Sequence, residues 1–232
     1  MWLIPTRNRP GLMVEMIAAM RATGDIPICA VMQDACEYAI DWPAHWHIHR
    51  SERHLEMSGA LNALFKAHPG EPFYGMLDDH TRPLSPGWDA AMREWAGEWQ
   101  IASFENNKNR VNPRTGKTRI NCYALGGKLA RALGWVWPNF VIHLWGDDAL
   151  EDIGYELGIL RHVPEARAET LLLRDGTLPA DINSRRIWSG MSYPAHDEKA
   201  YRRWKNSEFR PLCQKLRWLM ADYMPQTSPD AA

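Results

Sequence analysis

Two rhythms of apolar residues alternate along the first half of the chain. Short continuous runs, Trp2–Ile4, Ile26–Met32 and Pro72–Leu77, are bounded by Pro, Gly or Asp, as strands buried on both faces require. Between them Leu12, Met13, Met16, Ile17 and Met20 recur at helical spacing up to Gly24, and Met57, Leu61, Leu64 and Phe65 do so again. Trp46–His49 reads as a further short strand. Ser85-Pro86 predicts a cap and a first helical residue, ahead of a face made by Trp88, Met92 and Trp95. Gln100–Phe104 and Ile120–Leu125 are strand-like, with a polar loop over Glu105–Lys117 between them. Gly126–Leu133 predicts a short helix closed by Gly134. Asp147 leads a helix through Leu150, Ile153 and Leu157, stopped by Gly158. Leu171–Leu173 predicts one more strand, then irregular chain to about Tyr193. Two helices close the sequence, the second marked by Phe209, Leu212, Cys213, Leu216, Leu219, Met220 and Tyr223.

Strands that alternate with helices imply right-handed crossovers and a mostly parallel sheet flanked by helices. The expected class is α/β with a helical C-terminal extension. Residues 1–175 are expected to form the main domain, 176–224 a basic, aromatic-rich extension, and 225–232 a tail. The 232 residues are 45% apolar and 24% charged, which excludes wholesale disorder. A net charge of −1 excludes a globally basic nucleic-acid binder but not a local basic patch. Cys29, Cys36, Cys122 and Cys213 form no CxxC pair and read as reduced thiols of a cytoplasmic protein. No run of apolar residues is long enough to span a bilayer, so no membrane partner is expected.

Ligands of open α/β sheets bind at the carboxyl ends of strands. Three such ends carry polar residues: Pro5-Thr6-Arg7-Asn8-Arg9, Asp34, and Asp78-Asp79-His80. Cations, a hydroxyl and clustered carboxylates at one sheet edge suit a nucleotide diphosphate with a divalent metal. The competing reading of Asp78-Asp79 is a solvated turn. Adjacent carboxylates at the end of an apolar strand repel unless a cation joins them, which favours the metal. In Trp145-Gly146-Asp147-Asp148, Asp147 can serve as a helix cap and Asp148 as a general base. Trp135, Trp137, Trp145 and Trp188 suit either a sugar or base pocket or the core. His45, His47, His49 and His54 read as a strand edge and its loop.

The strings IPTRNRP, LNALF, GMLDDHTRP and PGWDAAM, in this order, resemble nucleotide-sugar glycosyltransferases of the GT-A, Rossmann-like fold. The likeness is nearest to a phage and actinobacterial group with a GDDHRP-type motif. It extends through ALGWVWP, HLWGDD and DIGYELG, over about residues 2–165. The resemblance implies sugar transfer from a nucleotide diphosphate sugar to a hydroxyl, with inversion. It places Pro5, Thr6, Arg7, Arg9, Asp34, Asn62 and Asp78 on the donor, and Asp79 or His80 on Mn²⁺ or Mg²⁺. It makes Asp147 or Asp148 the catalytic base: the WGDD string favours Asp148, and alignment on the phage-type pattern favours Asp147. The group's strand ending in Glu-His has its counterpart in HVPEARAET, where Glu169 stands and Thr170 replaces the metal-binding histidine. Either His196 substitutes for it or the metal is weakly held.

Residues 185–218 hold nine Lys or Arg against three acids, with aromatic residues interleaved. Such a stretch either packs its aromatics on the core or grips nucleic acid. On the second reading the acceptor is a hydroxymethylated base in phage DNA, met by Trp145, Arg185, Arg186 and Trp188. The rival classes are a nucleic-acid-binding or degenerate, non-catalytic protein and a sugar nucleotidyltransferase. The latter needs a glycine-rich loop after the first strand, where only Gly11 stands.

Overall fold

The computed structural model describes residues 1–106, 116, 118–120, 122–171, 176–178, 193–221 and 223. Strand β1 (Trp2–Thr6) leads into helix α1 (Pro10–Thr23), then β2 (Cys29–Asp34), β3 (His47–Ser51), α2 (Glu56–Ala67), β4 (Phe73–Met76) and β5 (Thr81–Pro83). Helix α3 (Trp88–Ala96) precedes β6 (Ile101–Asn106), β7 (Tyr123–Gly126), α4 (Gly127–Leu133), α5 (Gly146–Leu157) and β8 (Leu160–Thr170). Helices α6 (Tyr193–Ser207) and α7 (Phe209–Leu219) follow. One sheet contains all the strands, in the order β3-β2-β1-β4-β7-β6-β8-β5. Strands β1, β2, β3 and β4 are parallel, β7 runs against β4 and β6, and β5 runs against β8. The mostly parallel α/β reading therefore stands.

Alternation along β1 splits the core in two. Trp2 and Ile4 point into a layer with Met13, Met16, Ile17 and Met20 of α1 and Trp88 and Met92 of α3. Leu3 points into the opposite layer with Leu61 and Leu64 of α2 and Leu150 and Ile153 of α5. Tyr201 and Trp204 of α6 and Phe209, Cys213 and Leu216 of α7 belong to this second layer, while Lys199, Arg202, Arg203, Arg210, Lys215 and Arg217 stay at least partly exposed. Tyr201, Trp204 and Phe209 of the C-terminal helices are thus spent on packing, and Trp218 is not. All four cysteines are free.

Three local expectations are corrected. Ser85 does not cap α3: its Oγ donates to the Glu165 carbonyl (2.6 Å) and accepts the Arg167 N–H (2.8 Å), and Gly87 at φ 73° begins the helix. Those bonds stitch down a bulge in β8, where the register against β6 jumps after Phe104. The eleven-residue strand β8 occupies Leu160–Thr170, just before the strand expected at Leu171–Leu173, of which 172 and 173 lie outside the described residues. Asp147 does not cap α5 either, since Trp145 holds that position with φ 67° and no side-chain cap. Most of the Glu105–Lys117 loop lies outside the described residues.

Trp2 anchors the first layer. Its ring is fully buried against Phe73, Trp88 and Phe104, with centroids 4.9–5.8 Å apart, and its Nε1 donates to Asp89 Oδ1 at 2.6 Å. The ring lies flat on β4 because residue 75 is glycine: a Cβ there would sit 2.1 Å from Trp2 Cε3. Gly75→Ala is expected to cost about 1–3 kcal/mol through overpacking, a fall in melting temperature of roughly 2–12 °C. An unchanged melting curve would show that β1 and β4 have room between them.

Candidate active site

Parallel pairing brings the ends of β1, β2 and β4 to one edge of the sheet. Beyond Met76, the chain continues as Leu77-Asp78-Asp79-His80 and meets the end of β1 there. Asp79 is 4% exposed. Its Oδ2 accepts from Thr6 Oγ1 (3.0 Å), and its Oδ1 accepts from Arg9 Nη1 (3.1 Å) and faces His80 Nδ1 (3.2 Å). Burial opposes ionisation of Asp79, yet the His80 and Arg9 interactions outweigh it and hold the carboxyl below its ordinary value. Burial likewise opposes the charge on His80, but Asp78 and Asp79 raise that imidazole above its usual value. Thr6 Oγ1 also meets the Tyr38 hydroxyl at 2.5 Å.

At the end of β2, Asp34 is 4% exposed. Its Oδ2 faces His54 Nδ1 and its Oδ1 accepts the Leu55 N–H, each at 2.6 Å. The other ring nitrogen of His54 meets Arg7 and Glu56, and Glu56 accepts from the Tyr193 hydroxyl of α6 at 2.6 Å. Burial and the nearby Asp34 and Asp79 charges raise the Cys36 thiol, which places both carboxylates around one residue.

Asp147 and Asp148 lie in the first turn of α5. Asp147 Oδ1 accepts the Asp148 N–H at 3.0 Å. Burial, reinforced by the charge of Asp148 and opposed by Arg119, pushes the Asp147 carboxyl up to about 7. The Tyr123 hydroxyl and the Cys122 thiol, at the start of β7, are raised by burial and feel both Asp78 and Asp147. Both carboxylates therefore act electrostatically on the start of this strand. Tyr123 pairs with Met76, two residues before Asp78.

The remaining expected residues are distributed as follows. Pro5 is the fourth residue of β1, paired with Met32 of β2. Asn62, expected on the donor, instead clamps the loop after α4: its Oδ1 accepts from the Val136 N–H (3.0 Å) and its Nδ2 donates to the Trp137 carbonyl (2.7 Å). The Trp145 ring stacks on Tyr201 of α6 with centroids 5.1 Å apart. Arg185, Arg186 and Trp188 lie outside the described residues. Sequence reasoning missed Tyr38 and Glu56, read His143 as having no ligand-like partner set, counted Tyr193 only among the aromatics of the basic stretch, and assigned His54 to an edge loop. No local signal marks them, because each is brought in from a different element. Among the described residues, solvent-shielded side-chain atoms without a hydrogen-bond partner in this part of the molecule include Asp78 Oδ1, Trp137 Nε1 and His143 Nδ1.

The donor set limits how a metal can bind. Asp79, expected as a ligand, has both oxygens engaged. Thr170 is 1% exposed and bonds Thr81 and Asn106 inside the sheet, and His196 lies against Asp197 on α6. Among the described residues, no group of three His, Cys, Asp or Glu assembles to hold a metal. What remains is Asp78, with one orphaned oxygen, and His80 Nε2, 3.8 Å from Asp78 Oδ2. That pair fits a hard cation that takes one or two protein ligands and fills its shell from substrate phosphates. It does not fit a metal caged by protein alone.

No protein-family profile matches the sequence, and no curated protein matches it. Solved structures do. GalNAc-T7, in a structure with UDP, GalNAc and Mn²⁺, superposes with a TM-score of 0.59 at 10% identity, over 97% of this chain and 57% of that one. Glucosyl-3-phosphoglycerate synthase from Mycobacterium tuberculosis, with Mn²⁺, UDP and phosphoglyceric acid, gives 0.57 at 13% identity, over 86% and 77%. TarS of S. aureus gives 0.53 at 11% identity, over 74% of this chain and 36% of its own. The chain has the GT-A fold. It spans well under two thirds of the length of TarS and of GalNAc-T7. No helix among the described residues is long and apolar enough to cross a membrane.

A carboxyl raised to about 7 in the folded GT-A chain ionises near 3.8 once unfolded. Folding stability is therefore lost as pH rises through this interval, and the full penalty applies above about 7. Asp147→Asn is expected to raise the melting temperature, by more at pH 8 than at pH 5. Equal shifts at both pH values in thermal melts would contradict the raised value.

Proposed function

We propose that this protein is a glycosyltransferase that moves a sugar from a nucleotide diphosphate sugar to an acceptor hydroxyl with inversion. The observation that carries the reading is the placement of Asp147 in the first turn of α5, its carboxyl pushed up to about 7 by burial and Asp148, in a GT-A fold whose β1 and β4 ends join Thr6 and Arg9 to Asp79. A base with its midpoint near 7 combines adequate basicity with substantial ionisation at neutral pH. Asp148 reinforces that shift by repulsion, so Asp147 is the base and Asp148 its modulator.

In this reading Pro5, Thr6, Arg7, Arg9 and Asp34 line the nucleotide. Arg7 and Arg9 face the diphosphate, where their fixed charge stabilises what leaves. Asp147 takes the acceptor proton as the hydroxyl oxygen attacks the anomeric carbon. The bond from that carbon to the diphosphate oxygen breaks, and its electron pair leaves with the diphosphate. Asp78 and His80 are the residues that would hold a divalent metal, which supplies positive charge to the phosphate oxygens when bound. Asn62 positions the Trp137 loop.

The test begins with a thermal-shift screen of nucleoside diphosphates and nucleotide sugars, with Mn²⁺, Mg²⁺ or chelator, followed by transfer to hydroxyl acceptors that include DNA carrying hydroxymethylated bases. Binding to the folded state raises the melting temperature by mass action. Asp147→Asn is expected to lower kcat at least 100-fold while donor affinity stays within about threefold. Asp148→Asn retains turnover and moves the acid limb of the pH profile downward, since it removes the repulsion that raises Asp147. Wild-type kcat/KM is expected to fall as pH drops below about 7. Full turnover by Asp147→Asn would refute the assignment. Salt-sensitive DNA binding without donor binding would replace the reading with a nucleic-acid-binding one.

A further inference from the structure

We propose that Asp197 of α6 is a positioning residue that holds the loop leading into Asp147, making the C-terminal helices part of the active site. The inference rests on reading Asp147 as the base. The loop joining α4 to α5 runs from Gly134 to Trp145 without regular structure. Three consecutive amides near its end converge on one side chain. The Ile142 N–H donates to Asp197 Oδ1 at 2.9 Å, and the His143 and Leu144 N–H groups donate to Oδ2, each at 2.8 Å. Asp197 is fully buried at 0% exposure, 53–55 positions away in sequence from the amides it accepts.

Successive backbone N–H groups aimed at one point form a concavity that binds anions. Here the chain fills that concavity with its own carboxylate. Hydrogen bonds to an ionised acceptor are roughly twice as strong as neutral ones. Without the carboxylate, three donors would face one another around an empty centre, so this loop conformation depends on Asp197. Leu144 is followed by Trp145 at φ 67°, a left-handed conformation that bulky side chains rarely adopt. The loop therefore enters α5 through a turn that has to be held in place. Asp147 lies two residues further on. Fixing residues 142–144 fixes where Asp147 begins, and it sets the ring of His143, whose Nδ1 is shielded without a partner.

The other side of the loop is held from α2. The Ser58 N–H donates to the Ile142 carbonyl at 3.1 Å, and Ser58 Oγ donates to the Pro138 carbonyl at 3.1 Å. Helix α6 is itself seated by the Trp145–Tyr201 and Phe140–Trp204 stacks and by Tyr201 on Asp152. Its first residue, Tyr193, reaches Glu56 and through His54 the donor-side Asp34. One helix thus touches both the donor end and the base end of the cleft.

Hydrogen–deuterium exchange on the full-length protein tests this without any substrate. In the wild type the amides of Ile142, His143 and Leu144 are expected to exchange at least 100-fold more slowly than exposed loop amides. Asp197→Asn, which turns an NH₂ toward a backbone donor, is expected to speed them at least tenfold while the amides of β1 and β4 keep their protection. In the same variant, affinity for UDP, the binding probe, stays within threefold. With the nucleotide sugar selected by the screen above, kcat falls at least tenfold at little-changed KM, and Asp197→Glu restores part of it. Unprotected amides in the wild type would overturn the proposal whether or not the variant folds. So would Asp197→Asn with unchanged exchange, or with loss of protection across the whole sheet. If Asp147→Asn is active but Asp197→Asn still frees these amides, the positioning role stands and only the identity of the base falls.

Discussion

A carboxylate moved out of water costs several kcal/mol unless protein donors replace the lost hydration, and this constraint sorts the acids around the cleft. Asp79 is buried but receives Thr6, Arg9 and His80. Asp34 receives His54 and the Leu55 amide. Asp197 receives three amides and, although burial pulls the other way, is held below its ordinary value by the His196 hydrogen bond and those amides. Asp147 has a neighbouring amide and the opposing charge of Arg119, with Asp148 against it, and its carboxyl rises to about 7. Its place in the first turn of α5 favours the anion through the helix dipole. Burial and Asp148 outweigh that contribution. On the proposed reading, the acids whose charge is met by protein donors hold structure, and Asp147, whose charge is met less fully, is left with the chemistry.

Topology is what allows such sorting. Thr6 and Asp79 are 73 positions apart in sequence, yet parallel pairing of β1 with β4 sets their side chains in contact. The antiparallel insertion of β7 beside β4 then sets Tyr123 opposite Met76, where its hydroxyl feels both Asp147 and Asp78. The C-terminal helices complete this arrangement. Their buried aromatics share a core layer with α2 and α5, so removing them would uncover the same surface on which α5 rests. The abundance of tryptophan follows from this design: Trp2 and Trp88 fill one layer, Trp137 and Trp204 the other. Trp218, 77% exposed, stands outside both.

Periodicity made the framework legible, because a strand buried on both faces and a helix with one apolar face leave local marks. Helix α1, its Gly24 terminus, and β1, β2 and β4 could be read from side chains a few positions apart. Strand β8 could not. It is bordered by the edge strand β5, alternates buried with exposed residues, and is interrupted by Pro164 at a bulge, so RHVPEARAET looks polar. Polar clamps left still less trace. Asn62 looked like a donor contact because it stands on the helix before the acidic motif, but its carboxamide is taken by backbone 74 and 75 positions away. Asp197 sits in a polar helical stretch where nothing distinguishes it from a solvated acid. The clustering of Asp78, Asp79 and His80 at a strand end was visible; which of the two aspartates kept an unpartnered oxygen depended on Thr6 and Arg9.

The cleft's own charge bears on how a donor would enter it. Among the described residues, the acids named at the site are Asp34, Glu56, Asp78, Asp79, Asp147 and Asp148, and the fixed cations are Arg7, Arg9 and Arg119. Arg9 is already committed to Asp79 through a buried contact at 3.1 Å. A diphosphate brought alone into such a field would meet more repulsion than attraction. On the proposed reading a divalent cation would supply the countercharge, arriving with the donor. A protein built for that substrate needs no closed metal cage. It needs an oxygen without a partner beside an imidazole, which is what Asp78 and His80 provide, and a second carboxylate nearby locked down so that it does not compete. The engagement of Asp79 by Thr6, Arg9 and His80 performs that last task, and a threonine at position 170, turned into the sheet rather than toward the cleft, is compatible with it.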